Sequence, residues 1–98
     1  MEDITPVELK KRISANENLH IVDVREVWEY EEKNIGALNI PLNTLPERLE
    51  EIEHWKNEEL IVHCRSGARS ANAKKYLEQQ GFTKVRNLLQ GIEGYIVL

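Results

Sequence analysis

The chain is predicted to form an open α/β fold with parallel strands, on three observations. Helical segments alternate with short apolar runs along the 98 residues, the pattern left by parallel strands joined through crossover helices. The run Leu19-His20-Ile21-Val22-Asp23-Val24 is rich in β-branched residues and almost continuously apolar, as in a strand whose sheet is covered on both faces. The composition, 41% hydrophobic and 31% charged, is that of a globular chain long enough for one core. A single domain over residues 1–98 is expected.

The first helix starts at Thr5-Pro6-Val7-Glu8. Thr5 can accept a backbone N–H, Pro6 suits the first helical position and Glu8 completes a capping box. The helix should run from Pro6 to about Ala15, with Val7, Leu9 and Ile13 on one stripe, and Asn16-Glu17-Asn18 reads as the loop before the first strand. Val27 to about Lys33 is a short helix anchored by Trp28 and Tyr30. Ala37-Leu38-Asn39-Ile40 is a short strand closed by Pro41.

A second surface helix is expected from Pro46 to about His54, with Leu45, Leu49 and Ile52 inward and Glu47, Arg48, Glu50, Glu51 and Glu53 solvated. Leu60-Ile61-Val62-His63 is the next strand. After a polar loop, a helix runs from about Arg69 to Gln80 and ends at Gly81, where Phe82 can pack back on it. Val85-Arg86-Asn87-Leu88-Leu89 is the last clear strand, and Gly91 to Leu98 reads as a glycine-bearing tail.

Several function classes are disfavoured. A formal charge of −4 opposes non-specific attraction to nucleic acid or anionic lipid. The apolar runs are a few residues long, against roughly 20 for a membrane span. The acidic start lacks the basic and apolar stretches of an export signal, and one cysteine cannot close an internal disulfide, so a reducing, cytoplasmic setting is expected. His20, His54, His63 and Cys64 show no metal-ligand spacing; no metal or cofactor is expected.

The informative segment is His63-Cys64-Arg65-Ser66-Gly67-Ala68-Arg69-Ser70, between a strand and a helix. Ligands of open α/β sheets bind beyond the carboxyl ends of strands, where Cys64 lies. Several backbone N–H groups of this loop, freed of strand pairing and converging at a helix N-terminus, form a concavity for a negatively charged atom, and Gly67 lets the backbone curl. With Arg65 and Arg69 nearby, that field should lower the thiol below its free value of about 8.5 and make Cys64 a nucleophile. Asp23-Val24-Arg25-Glu26 follows another strand and reaches the same edge, where Arg25 meets an anionic substrate or a carboxylate and Asp23 braces the loops.

Plainer readings stand beside these. A lone cysteine after an apolar strand is by base rate a small buried hydrophobe, but Gly67, Ser66 and two arginines behind it serve no core. Arg69 reads equally as a surface charge, Ser70 as a helix cap, and His63, alternating with Cys64, as a structural residue on the other face. Trp28, Trp55 and Tyr76 read as core or rim anchors.

These blocks, with Glu29-Tyr30-Glu31, Gly36-Ala37-Leu38-Asn39-Ile40-Pro41-Leu42 and Leu89-Gln90-Gly91-Ile92, resemble the rhodanese-like domains, in the family's order over nearly the whole chain. The resemblance implies a three-layer α/β/α fold with a central, mainly parallel five-stranded sheet. It further implies a sulfurtransferase in which Cys64 takes a sulfane sulfur from a donor such as thiosulfate and passes the persulfide sulfur to cyanide or a thiol. By position the amides of Arg65 to Arg69 cradle the sulfur, while Asp23, Arg25 and Ser70 support the loop.

The chain departs from the family in three places. Asn34-Ile35-Gly36-Ala37 is one residue short of the usual run, Gln90 stands where glycine is common, and Tyr95 where tryptophan is common. Three alternatives remain: a relay fed by a protein persulfide, a non-catalytic binding module, and a phosphatase or arsenate reductase. Four residues separate Cys64 from Arg69, where the phosphatase signature has five, and the smaller ring suits one sulfur better than a tetrahedral phosphate. A redox sensor would lack a resolving cysteine. The chain is expected to act as a monomer.

Overall fold

A computed structural model describes residues 1–98. Four strands, β1 (Ile21–Asp23), β2 (Leu38–Asn39), β3 (Leu60–His63) and β4 (Val85–Asn87), make one sheet in the order β2-β1-β3-β4, with every neighbouring pair parallel. The helices are α1 (Pro6–Ser14), α2 (Val27–Glu32), α3 (Ala68–Gln79) and α4 (Gly91–Ile96). The α/β class and parallel sheet expected from the alternating pattern are present. No helix is long and apolar enough to cross a membrane.

Several expectations need correction. The sheet has four strands rather than five. Where a fifth would flank β4, Ile4 alone pairs with Leu88; its N–H donates to the Asn87 carbonyl at 3.0 Å and its carbonyl accepts from Leu89 at 2.9 Å. The pairing stops there because Thr5 caps α1 through a 3.1 Å bond from the Glu8 N–H and Pro6 has no N–H to continue a ladder. The surface helix is a 3₁₀ segment, Leu42–Glu51, followed by a second, Glu53–Trp55. Pro46 lies inside the first and removes an N–H that an α-helical ladder would need. Residues Gly91 to Leu98, read as a tail, contain α4.

Alternation along β3 divides the core. Leu60, Val62 and Cys64 join Val22, Ile40, Leu45, Ile52 and Leu77 in a cluster shared with α3 and the 3₁₀ segments. Ile61 faces the other way, into a smaller cluster with Ile4, Leu9 and Leu88, against which Ile13 and Tyr95 pack from α1 and α4. Every residue of β3 is buried, which explains its uninterrupted apolar reading. Val7, placed on the inward stripe of α1 by its spacing, is instead 50% exposed, whereas Leu9 is fully buried.

The topology also selects the site. From β1 the chain crosses through α2 to β2 on one side, and from β3 it crosses through α3 to β4 on the other. Connections diverging from two adjacent strands leave a crevice at their carboxyl ends. Asp23 pairs with His63 in the β1–β3 register, so the residues that follow each, Val24-Arg25 and Cys64, open into that crevice.

The burial of Ile4 gives a test of the residual fifth strand. Ile4→Ala should cost about 2–5 kcal/mol in denaturant unfolding, as for a buried large-to-small change, while Val7→Ala should stay within about 0.5 kcal/mol; equal effects would contradict this packing.

Candidate active site

The loop after β3 turns Gly67 into the left-handed region (φ 112°), a conformation that side chains resist, and α3 begins at the next residue. No side chain caps α3. The Cys64 sulfur stands near that position and accepts from the Gly67 N–H at 3.1 Å and the Ser70 hydroxyl at 3.3 Å. Burial raises the thiol's pKa, but the Ser70 hydroxyl and the amides of Ser70, Gly67 and Ser66 lower it more, leaving it below the ordinary value. Arg65, Ser66 and Ala68 are exposed. Cys64 is 1% exposed, so its sulfur lies beneath the rim of an accessible loop.

Ser70, read from the sequence as a helix cap, does not cap α3; it lies inside the first turn with its hydroxyl turned toward the sulfur. Its hydroxyl also lies 2.5 Å from Asn87 Oδ1 and 3.3 Å from the Gly67 carbonyl, while Asn87 Nδ2 donates to that carbonyl at 3.1 Å. One hydroxyl hydrogen thus has three acceptors, with Asn87 nearest. A negatively charged sulfur would draw that hydrogen toward itself.

Two ion pairs hold the surroundings. Arg25 Nη2 lies 2.7 Å from Asp23 Oδ2, with both side chains buried, and the Arg25 backbone N–H donates to Asp23 Oδ1 at 2.9 Å. The same guanidinium donates to the carbonyls of Lys33 at 2.7 Å and Glu29 at 3.4 Å, binding the end of α2 to β1. Arg25 thus pairs with a carboxylate rather than offering a free fork to substrate.

Arg69 makes a bidentate pair with Glu29 at 2.7 and 3.0 Å. The Arg69 bond, opposing burial and helped by the Glu26 N–H, holds the Glu29 carboxyl down at about 2. The residue that anchors α2 is Glu29, not Trp28, which is 63% exposed; Tyr30 contributes by donating to the Ala37 carbonyl at 2.6 Å.

The start of α4 fastens the loop from outside. Ile92 N–H donates to the Cys64 carbonyl at 2.9 Å and Glu93 N–H to the Arg65 carbonyl at 3.1 Å. With these carbonyls engaged by α4, the following amides are free to face the sulfur. Gly91 makes the approach feasible: a Cβ there would lie 2.5 Å from the Arg65 carbonyl carbon and oxygen and 2.6 Å from the Cys64 oxygen. Gln90 has φ 64°, which explains the usual glycine at this position; a non-glycine residue there carries backbone strain of order 1–3 kcal/mol. Arg65, exposed at the rim, pairs with Glu93 at 3.3 Å.

His63 lies on the opposite side from Cys64, as alternation requires. It is fully buried, and its Nδ1 faces the Cys64 carbonyl at 3.2 Å. That carbonyl can only accept, so it assigns the proton to Nδ1. Nε2 stands 3.5 Å from Asp23 Oδ2 without a hydrogen-bond partner. Burial pushes the ring below its usual value against the pull of Asp23, so His63 is neutral at pH 7. No group of three or more His, Cys, Asp or Glu side chains is placed to hold a metal. Trp55 stacks on His20 at 4.3 Å between ring centroids, away from the loop. A cleft of about 230 Å³ opens beside Arg65, with Trp28, Ile92 and Ile96 on its walls.

The structure thus gathers Cys64, the Arg65–Arg69 loop, Ser70, Asp23 and Arg25 at one sheet edge. Sequence reasoning missed Glu29, Asn87 and Glu93. A polar residue near the carboxyl end of an apolar strand is a usable signal for Asn87. Glu29 lies in the Glu29-Tyr30-Glu31 block without a partner being evident, and the sequence around Glu93 carries no signal for its pairing.

Comparison with known proteins places this architecture. Residues 5–97 match the family model of the rhodanese-like domain. A sulfurtransferase of Allochromatium vinosum is 38% identical over 93 residues, 94% of this chain and 85% of that protein. The Bacillus subtilis protein named "Putative sulfur carrier protein YrkF" is 36% identical over 94 residues, 95% of this chain; the chain spans 50% of its length. The crystal structure of a rhodanese-like domain protein from Staphylococcus aureus superposes with a TM-score of 0.87 at 34% identity, covering 97% of this chain and 91% of that one.

Two substitutions test the bracing. Glu29→Gln should lower stability at pH 7 by about 1–3 kcal/mol, discounted for the partial exposure of Arg69. The folded carboxyl titrates near 2 and the unfolded one near 4.5, so its contribution is complete above about 4.5 and is lost as pH falls toward 2. Acid unfolding of the variant should be correspondingly flatter in that window. Gly91→Ala forces backbone against backbone and should cost about 2–4 kcal/mol, read as a lowered denaturation midpoint.

Proposed function

The chain belongs to the rhodanese-like domain family, and from that premise we propose that it is a sulfurtransferase whose Cys64 carries sulfane sulfur as a persulfide. The observation that carries the reading is the setting of the Cys64 sulfur, which meets the Gly67 amide and the Ser70 hydroxyl within 3.1–3.3 Å at the start of α3. Such donors stabilise a sulfur anion before and after it gains a second sulfur.

The proposed reaction has two displacements. The Cys64 thiolate attacks the outer sulfur of a donor such as thiosulfate, an S–S bond forms, and the donor's own S–S bond breaks with its electron pair leaving on sulfite. Cyanide or a thiolate then attacks the outer sulfur of the persulfide, and the pair of the breaking S–S bond returns to Cys64 as thiolate. Proton transfer is not needed in either displacement when the acceptor is an anion. A low thiol pKa improves Cys64 both as nucleophile at neutral pH and as leaving group in the second step.

In this reading residues 1–98 act as one unit and as a cytoplasmic monomer without metal or cofactor. The lone thiol must stay reduced to work. A donor that is another protein's persulfide is the second reading, favoured by the exposed Trp28 and Ile96 beside the loop. Phosphatase chemistry is disfavoured by Arg69, whose fork is filled by Glu29 and is not free for a phosphate.

Incubation with thiosulfate should add one sulfur to the intact mass, and cyanide should remove it as thiocyanate; Cys64→Ala should show neither. Sulfur transfer by Cys64→Ala would sink the assignment. The acid limb of the donor reaction should lie below the free-thiol value of about 8.5, since a lowered pKa keeps the thiolate to lower pH. Ser70→Ala should move that limb upward and slow thiol alkylation at pH 7 about three- to tenfold, measured against pH.

A further inference from the structure

The three arginines around the site are committed in pairs. Arg25 is bound by buried Asp23, Arg69 by Glu29, and Arg65 by Glu93. The cleft beside the loop is lined by three cations, Arg25, Lys33 and Arg65, and three carboxylates, Glu29, Glu32 and Glu93. Adding Asp23 and Arg69, which complete two of the pairs, leaves this set neutral, and the Cys64 thiolate then makes the mouth negative. A small dianion approaching Cys64 therefore finds no net attraction.

Among these pairs the one between Arg65 and Glu93 is at the rim, with side chains 64% and 55% exposed. It is also set by the backbone. The Glu93 N–H bonds the Arg65 carbonyl at 3.1 Å, and the contact of Gly91 with the Cys64–Arg65 backbone fixes where α4 starts. The main chain of Glu93 is thus fixed beside that of Arg65, so the two side chains stay within reach of one another.

We infer that Glu93 is a specificity-determining residue, which cancels the charge of Arg65 at the mouth and selects sulfur donors of low charge with an apolar body over small polyanions. The inference rests on the sulfur-transfer reading above. It assigns the walls of the cleft a purpose: Trp28, Ile92 and Ile96, beside Arg65, offer apolar surface to the body of such a donor. Glu93 does not touch the reacting sulfur and acts through Arg65 and through the field at the mouth.

Charge makes the inference quantitative. Removing one negative charge lowers the approach free energy of a donor in proportion to that donor's own charge, so the gain in kcat/KM for a dianion is the square of the gain for a monoanion. The test compares thiosulfate with an aryl thiosulfonate, a monoanion that gives its outer sulfur to Cys64 and leaves as the sulfinate. Cyanide is the acceptor for both, and the donor kcat/KM is read for the wild-type protein, Glu93→Gln and Glu93→Lys.

At low ionic strength Glu93→Gln should raise kcat/KM about two- to threefold for the thiosulfonate and about four- to ninefold for thiosulfate, and Glu93→Lys should double each logarithm. In about 1 M salt, where the screening length is about 3 Å, both gains should fall toward one. Gains that are equal for the two donors, or that survive high salt, would mark a structural effect and overturn the inference. A wild-type protein that forms a persulfide but whose donor ratio is unmoved by either substitution overturns it alone. A wild-type protein that forms no persulfide with either donor overturns the sulfur-transfer reading as well.

Discussion

The parallel pairing of β1 with β3 places Asp23 level with His63, and the site is built outward from that register. Because the crossovers from these two strands leave in opposite directions, the crevice between their carboxyl ends stays uncovered by either connection. The residue after His63 is the thiol, and two residues after Asp23 comes the arginine that binds Asp23 in return. A slip of one residue in β3 would exchange the faces of Cys64 and His63, moving the sulfur away from α3 and setting an imidazole beneath the loop.

On that foundation the loop acquires its polarity from what lies on either side of it. α4 takes the carbonyls of Cys64 and Arg65, and α3 supplies amides at its first turn. A buried thiol would ordinarily be kept neutral by desolvation. Here the inward donors outweigh that burial, so the sulfur is both shielded and acidic. The neutral, fully buried His63 supports the same loop from behind through the Cys64 carbonyl and adds no positive charge.

The arginines serve the loop's shape more than its charge. Arg25 and Arg69 each hold a carboxylate and tie α2 to the sheet edge and to α3. A site that stabilises its anion with amides while its guanidinium groups are paired depends little on bulk positive field, which agrees with the overall charge of −4. The consequence reaches selectivity, since a mouth whose arginines are paired offers a polyanionic donor no net attraction, and shape and apolar contact then rank the donors.

By itself the sequence determined the alternation of elements, the place of the lone cysteine at a strand end and the loop around it, because these depend on local matters: apolar periodicity, a glycine where the chain must curl, and amides freed at a helix start. Cys64, Gly67 and Ser70 were legible for that reason, as was the opposite orientation of His63 from strand alternation. What only the tertiary structure decided are the pairings over long separations. Glu29 meets Arg69 forty residues away and Ser70 meets Asn87 across seventeen, and nothing local says which partner Glu29 or Glu93 will meet. The reduction of the fifth strand to Ile4 and the conversion of Gly91–Ile96 from tail to helix belong to the same class. Ile4 finds its one partner at Leu88 and the start of α4 is fixed by the bonds of Ile92 and Glu93 to the Cys64 and Arg65 carbonyls, contacts between distant segments that exist only when the sheet and its helices are assembled.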